Sequence, residues 1–517
     1  MVPSGSYDFV DNDDDPSPVY KDDEDGGDHG TSVAGLIGAA GFNSLGGRGV
    51  APESSLTGFN YLNSQTLETW KSTHGGEKTS NARIINQSYG YGLPLILPTT
   101  SFKFNIEEAI LEDYFATAQQ PALMIKSAGN GFNSLYYWFY SYIRVNSSPE
   151  EARLTHQLAN SDPSNASFYN TLVSALGANA ASPLSSYSTT GAAVMFSAPG
   201  GEYGEDQPAM ITTDVEGCEK GYSKERFYDW GSYFTGGLDD RFQAVTQCSY
   251  TSQFNGTSSA APVASGVAAL VMEANPAMTW RDVRYVMAKT ATKIDLDFQP
   301  VELTQQGQRY TAEQSWVTNA AGNSFHNWYG FGMVNATEAV QMASRDYVLL
   351  PPLESTGFVS SSELEPNKIP ENFTGLTKSF EVTEDWKVEG VQLKLDIDHK
   401  RINDLSVEVI SPSGTKSIVV TARNMHIMSP DEVFINEGPL LFLSHAFLDE
   451  KSKGTWKVRI VDTNNGKMEY RKTFFGEGDP EVLENNAELG TVKNASIKIY
   501  GHSDSGRDVA GNKESQS

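Results

Sequence analysis

The sequence predicts an α/β domain built on a parallel sheet, followed by a smaller all-β domain. Three observations carry that reading. Small-residue helical segments alternate with short apolar runs from about 29 to 343; the chain turns rich in Pro, Ser, Glu and Asn between 344 and 375; beyond that point apolar residues recur at every second position. At 517 residues the chain exceeds any single small module, and 39% hydrophobic with 20% charged residues describes globular domains rather than a disordered or fibrous chain.

Taken in order, residues 1–28 crowd carboxylates, among them Asp8, Asp13 and Asp15, around the lone Lys21. Met1 to Gly5 has neither the basic start nor the apolar core of a signal peptide, so the expectation is a cytoplasmic chain or one whose true start lies upstream. Residues 82–86 and 122–126 read as buried strands and 258–274 as a helix. Residues 132–160 bring Phe132, Tyr136, Tyr137, Trp138, Phe139, Tyr140 and Tyr142, an aromatic insert expected to bury against the second domain rather than rim a cleft. Pro351, Pro352, Pro366 and Pro370 mark 344–375 as a linker. In 376–503 the alternation of Val391, Leu393, Leu395 and Ile397, of Leu405, Val407 and Val409, and of Trp456, Val458 and Ile460 predicts a β-sandwich. The polar tail 504–517 is expected to be disordered.

Charge narrows the function. With 38 Lys and Arg against 65 Asp and Glu, the net charge of −27 repels phosphate backbones and anionic lipid, which argues against nucleic-acid or membrane-surface partners. No run approaches the ~20 apolar residues of a transmembrane segment. Cys218 and Cys248 are too few for a disulfide framework or a zinc cage; a bridge between them would staple 219–247 and stabilise by roughly 3–4 kcal/mol.

Three segments carry chemistry. Asn255-Gly256-Thr257-Ser258-Ser259-Ala260 opens a tightly packed helix, and a serine there sits in the positive end of the helix dipole, where oxyanions are stabilised. Asp28-His29-Gly30-Thr31 opens another, and His29 has the chemistry of a general base for a serine nucleophile. Ser127-Ala128-Gly129-Asn130-Gly131 follows an apolar strand, placing the Asn130 amide at a strand's C-terminal end, where open sheets build their sites. Each alone has a bland counterpart: a capping serine, a structural histidine, an Asn-Gly turn.

In this order, the three together resemble the subtilisin-like serine proteases. Gly47-Arg48-Gly49-Val50-Ala51-Pro52 and Asn86-Gln87-Ser88-Tyr89-Gly90 add to the match. Thr212-Thr213-Asp214, Glu273-Ala274-Asn275-Pro276 with Thr279-Trp280-Arg281-Asp282-Val283, and Tyr329-Gly330-Phe331-Gly332 point to the kexin/furin-like branch, of the bacterial type. Ile410-Ser411-Pro412-Ser413-Gly414-Thr415 and Gly454-Thr455-Trp456 resemble that branch's P domain. The resemblance implies a subtilisin-like peptidase domain over 1–343, a linker over 344–375 and a P domain over 376–503. It implies Ser258 as nucleophile, His29 as general base and Asn130 as oxyanion donor.

The resemblance also implies calcium, held by Asp8, Asp13 and Asp15 in one loop and by Asn43 with nearby carbonyls in a second. Ser88, Tyr89, Gly90 and Asp162 would line the substrate pocket. The resemblance implies cleavage after a basic residue but not strict selection of basic pairs, because Tyr91-Gly92-Leu93 and Thr189 stand where the branch has acidic residues. Protein or peptide substrates, a propeptide or an external chaperone as folding partner, and a secreted or periplasmic location follow from the same likeness. The family's triad aspartate ends a first core strand upstream of the segment that Ser6-Tyr7-Asp8-Phe9 matches, and this chain begins after it. Residues 1–517 are therefore expected to be nearly inactive, with a non-catalytic, peptide- or partner-binding protein of the same fold as the alternative.

Overall fold

The computed structural model describes residues 5–18, 29–90, 102–132, 141–144, 154, 159, 162–178, 183–204, 207–217, 220–224, 248–345, 347–362, 366–423, 438–473 and 481–504. Four parallel strands, β1 (Ile84–Gln87), β2 (Leu123–Ser127), β3 (Asn170–Leu176) and β4 (Val194–Pro199), pair in sequence order. Every residue of β2 and β3 is buried, the polar Lys126, Ser127, Asn170, Thr171 and Ser174 included, because a parallel sheet is covered on both faces. The five longest helices among the described residues are, in chain order, α1 (His29–Gly38), α2 (Phe102–Thr117), α3 (Thr257–Ala274), α4 (Trp280–Thr290) and α5 (Ala336–Ser344). Helix α3 lays Ala260, Ala264, Val267 and Val271 into one core with Leu123, Ile125, Val173 and Phe196 of the sheet.

A short antiparallel pair, β5 (Met210–Thr213) with β6 (Tyr250–Phe254), fastens α1 to this core. The hydroxyls of Thr212 and Thr213 donate to the carbonyls of Ser32 and Thr31 at 2.6 and 2.7 Å, and Ser32 Oγ donates back to the Thr213 carbonyl at 2.9 Å. Three side-chain bonds in consecutive positions fix the start of α1, and with it His29. Cys248, just before β6, is disulfide-bonded. Its expected partner Cys218 lies outside the described residues.

The second domain is two antiparallel sheets. One runs β7 (Leu376–Val382), β12 (Gly454–Asp462), β9 (Leu405–Ile410), β10 (Lys416–Val420); the other runs β13 (Thr491–Ser503), β8 (Trp386–Asp398), β11 (Leu440–Ser444). Phe380, Val391, Val407, Phe442, Trp456 and Ile497 from both sheets share one core, as the two-residue periodicity predicts. Within the stretch read as a linker, Glu354–Ser355 and Val359–Ser360 are short strands added to β13, so this stretch travels along the sandwich rather than free of it. The tail beyond 504 lies outside the described residues, and no helix among them is long and apolar enough to cross a membrane.

The domains are locked by a buried polar cluster inside an aromatic collar. Arg281 of α4 grips Glu389 of β8 through Nε at 3.0 Å and through a second, shorter guanidinium contact, and His502 Nδ1 stands 2.7 Å from the same carboxylate. Tyr500 stacks on Phe168 with ring centres 4.0 Å apart, and the Arg284 guanidinium lies over the same Phe168 ring at 4.3 Å. The aromatic insert joins in. Its strand Ser141–Arg144 pairs with Met468–Thr473, and Thr421 Oγ1 donates to the Leu154 carbonyl at 3.0 Å. Phe132 meets Trp328 edge-on at 5.3 Å, while Tyr136 to Tyr140 lie outside the described residues.

Burial opposes ionisation of Glu389, but Arg281 and His502 overcome it and bring its pKa down to about 2. A carboxylate held below its unfolded value of 4.5 contributes stability above that value and loses it as pH falls through about 2. Glu389→Gln is expected to lower the unfolding free energy by about 3–5 kcal/mol at neutral pH, by leaving the buried Arg281 unpaired. The gap between variant and unaltered chain should close between pH 4.5 and 2 in urea titrations.

Candidate active site

The site is assembled at the N-terminus of α3. Gly256 precedes the helix at φ +95°, a conformation that side-chain-bearing residues avoid, and a Cβ there would stand 2.9 Å from Asn130 Nδ2. Thr257 then clasps the loop after β2. Its N–H and Oγ1 donate to Asn130 Oδ1 at 2.8 and 2.9 Å, and its Oγ1 accepts from the Gly129 N–H at 3.0 Å. The amide oxygen of Asn130 is thereby pinned, which leaves its NH2 without a partner among the described residues and turned toward the helix start. The N–H of Ser258, one residue into the helix, likewise makes no hydrogen bond there. Two donors and the dipole of an 18-residue helix converge at Ser258.

Ser258 is half-buried, its Oγ 3.4 Å from the Ser88 carbonyl, while Ser88 Oγ donates to the Ser258 carbonyl at 3.0 Å. The second bond has a local cause. Pro262 stands four residues after Ser258 and has no N–H, so the helix cannot satisfy that carbonyl and Ser88 does so instead. Sequence reading placed Ser88 in the pocket and Pro262 in the helix but did not connect them.

His29 is the first residue of α1, with its ring edge-on to Phe254 at 5.3 Å, four residues before Ser258. Burial pulls its pKa below the ordinary histidine value, and no charged neighbour adds to that shift. Among the described residues His29 makes no hydrogen bond, either to Ser258 or to a carboxylate. Sheet pairing is broken on the same side. Tyr7–Asp8 pairs in parallel with Phe59–Asn60, whereas β1 pairs only with β2, and no described strand joins the two ladders. Ile84, Ile85 and Asn86 are accordingly half-buried, unlike the fully buried strands beside them.

The segment Ser88-Tyr89-Gly90 leaves β1 along a wall whose other side is the end of β2. Tyr89 is anchored from behind by its hydroxyl at 2.6 Å from His74 Nε2. Lys126, buried near the end of β2, donates from Nζ to the Tyr89 carbonyl at 3.0 Å. Its burial lowers the ammonium pKa and Asp162 partly restores it. Asp162 Oδ1 caps the 3-10 turn Pro163–Ala166 by accepting from the Ser164 N–H at 2.8 Å. The sequence signal of Lys126 is a charge at the end of the four-residue apolar run Ala122 to Ile125.

The acidic loop closes on itself. Asp8 accepts through Oδ1 from the N–H groups of Val10 and Asp11 at 2.6 and 3.1 Å, and through Oδ2 from Asn60 at 2.9 Å. Burial opposes its ionisation, yet these bonds hold its pKa below the usual carboxylate value. Its N–H donates to the Asp13 carbonyl at 2.8 Å, and Asp13 and Asp15 are exposed. Among the described residues no three carboxylate, histidine or cysteine groups converge at metal-binding distance. Asn43 Oδ1 accepts from the Leu45 N–H at 3.0 Å, in a loop where Phe42 and Ser44 adopt positive φ.

Gly256→Ala tests the packing at the helix start. The backbone conformation alone costs about 1–3 kcal/mol, and the new methyl group meets the Asn130 amide. The expected result is a lower melting temperature together with lost hydrolysis of a chromogenic peptide, whereas Gly307→Ala, at another positive φ but with open space around it, should lower only the melting temperature.

Comparison with known proteins agrees with this geometry. The subtilase family model matches residues 3–332, and the proprotein convertase P-domain model matches 388–471. The extracellular serine protease of Aeromonas sobria is 35% identical across 97% of this chain and 81% of its own length, and a microbial serine proteinase of Aeromonas salmonicida is 33% identical across 84% and 70%. The crystal structure of the Aeromonas sobria protease in complex with its chaperone ORF2 superposes with a TM-score of 0.84, at 32% identity, over 96% of this chain and 84% of that one. The chain belongs to the subtilase family of serine proteases, in the kexin-like branch that carries a P domain.

Proposed function

We propose that this serine endopeptidase uses Ser258 as nucleophile, His29 as general base, and Asn130 Nδ2 with the Ser258 N–H as the oxyanion site. The observation that carries the reading is the clasp of Thr257 on Asn130 Oδ1, which leaves one amide donor and one backbone donor free beside the Ser258 hydroxyl. Donors held in place before reaction stabilise the tetrahedral oxyanion without reorganising as charge develops. His29 takes the proton of Ser258 as its oxygen attacks the peptide carbonyl and returns it to the leaving amine.

We also propose that an aspartate upstream of residue 1, on a strand between Phe59–Asn60 and β1, orients His29. The break between the two ladders, the half-buried β1 and the lack of a carboxylate on His29 among the described residues support this. In subtilisin itself the loss of the aspartate lowers kcat by about 3 × 10⁴, and a similar deficit is proposed for residues 1–517. An external chaperone and secretion are proposed by likeness to the extracellular Aeromonas sobria protease and its chaperone complex.

Calcium is proposed as a structural ion. The residue types suit a hard cation, three carboxylates in one loop with Asp8 held below the usual carboxylate range, although the three do not converge at metal-binding distance here. Asp8, Asp13 and Asp15 would hold the ion, and Asn43 with its loop carbonyls a second. A bound ion neutralises a crowded acidic loop and stabilises the fold by mass action.

Four outcomes are expected. A fluorophosphonate probe should label Ser258, located by peptide mass spectrometry; labelling elsewhere overturns the assignment. Asn130→Ala should lower kcat by about 10²–10³ with KM little changed. An upstream-extended chain should hydrolyse a chromogenic peptide far faster than residues 1–517, and equal rates would mean that an acid within 1–28 serves His29. The melting temperature should rise in calcium over chelator, and Asp13→Asn with Asp15→Asn should abolish the rise.

A further inference from the structure

The wall beside Ser258 contains a pair of opposite charges that the catalytic steps do not use. Lys126 and Asp162 are 4% and 3% exposed. Both face Gly90: a Cβ built there would lie 2.7 Å from Lys126 Nζ and 3.9 Å from Asp162 Oδ2. They do not neutralise each other directly, since Asp162 Oδ2 has no hydrogen-bond partner. Lys126 directs one of its three N–H groups at the Tyr89 carbonyl and keeps two. A buried donor and a buried acceptor therefore both stand beside Gly90, where no Cβ fills the space next to them, between the segment that follows β1 and the segment that ends in Asn130.

That space is where the side chain before the cleaved bond must go. Ser88 is bonded to Ser258 in both directions, and Gly129 to Thr257, so a carbonyl held between Ser258 Oγ and Asn130 Nδ2 directs its residue between these two segments. A lysine or arginine entering there would find Asp162 but meet the Lys126 ammonium as well. A glutamate would find Lys126 but meet Asp162. An aliphatic side chain would leave both groups buried and unpaired. A primary amide satisfies both at once, and a site built to bond a polar group rejects analogues that lack it.

We propose that this pocket selects a carboxamide side chain, glutamine or asparagine, at the residue whose carbonyl Ser258 attacks, with Lys126 Nζ donating to the amide oxygen and Asp162 Oδ2 accepting from the amide nitrogen. The proposal rests on the reading of Ser258 as nucleophile, and it replaces the basic residue that the family likeness implies. Glycine at position 90 belongs to the same device, because any side chain there would fill the space between the two charges.

Binding of product-like peptides tests this without requiring turnover. Acetyl-Ala-Ala-Pro-X peptides with X as Gln, Asn, Arg, Glu, Leu or Ala are titrated by calorimetry into residues 1–517, unaltered and with Lys126→Met or Asp162→Asn. The Gln or Asn peptide should bind at least about tenfold more tightly than the Arg, Glu, Leu and Ala peptides. Lys126→Met should move the preference toward Arg. Asp162→Asn, which keeps the Ser164 cap and exchanges the free acceptor for a donor, should move it toward Glu and stands in if Lys126→Met does not fold. Tighter binding of the Arg peptide to the unaltered chain, tightest binding of Ala, an unchanged ranking in a folded variant, or no binding at all overturns the proposal. Fluorophosphonate labelling of the upstream-extended chain separates the cases: Ser258 labelled there, with the wrong ranking, overturns the selectivity alone, and Ser258 unlabelled there overturns the catalytic reading beneath it.

Discussion

The proposed active site hangs on the way α3 begins. Gly256 turns the chain at φ +95°, Thr257 immediately fastens the loop carrying Asn130, and Ser258 follows with its N–H free. No side chain is tolerated at Gly256, because the Asn130 amide already occupies the place a Cβ would take. One glycine, one threonine and one asparagine thus decide both where Ser258, the proposed nucleophile, sits and which end of the Asn130 amide faces it. The rest of the core serves this junction: β2 delivers Asn130, β1 delivers Ser88, and α3 is pressed onto the sheet by its alanines and valines.

A second layer of constraint comes from the P domain. The Arg281 to Glu389 contact ties α4, which packs beside α3, to β8 of the sandwich, and the stacked Phe168 and Tyr500 rings seal it from water. Phe168 lies just before β3 and six residues after Asp162, so the sandwich braces the floor of the proposed pocket as well as the helices. Removing the second domain would expose a buried arginine and an aromatic collar, which makes the sandwich a structural part of the enzyme.

Much of this was readable from local chemistry. Strands 82–86 and 122–126, the helix at 258–274 and the alternating strands of 376–503 each follow from periodicity, and the structure places strands or helix in each. Asn130, His29 and Ser258 stood out because each lies at an element's end. What could not be read is what depends on distant partners. Ser88 satisfies the carbonyl that Pro262 leaves free, 170 residues away. Glu389 lies 108 residues from Arg281, and nothing in either neighbourhood names the other. Lys126 passed as a strand residue because the carboxylate and carbonyl that hold it come from other segments. The short strands within 344–375 escaped notice because edge strands of two residues have no period.

The central claim is that Asn130 Nδ2 and the Ser258 N–H together receive the oxyanion. A crystal structure with a peptide boronic acid tests it most directly, because the tetrahedral boronate reproduces the charged intermediate on the nucleophile. The account predicts boron bonded to Ser258 Oγ, with one boronate oxygen about 2.7–3.1 Å from both Asn130 Nδ2 and the Ser258 nitrogen. A boronate on another residue, or one on Ser258 whose oxygens avoid Asn130, would contradict it.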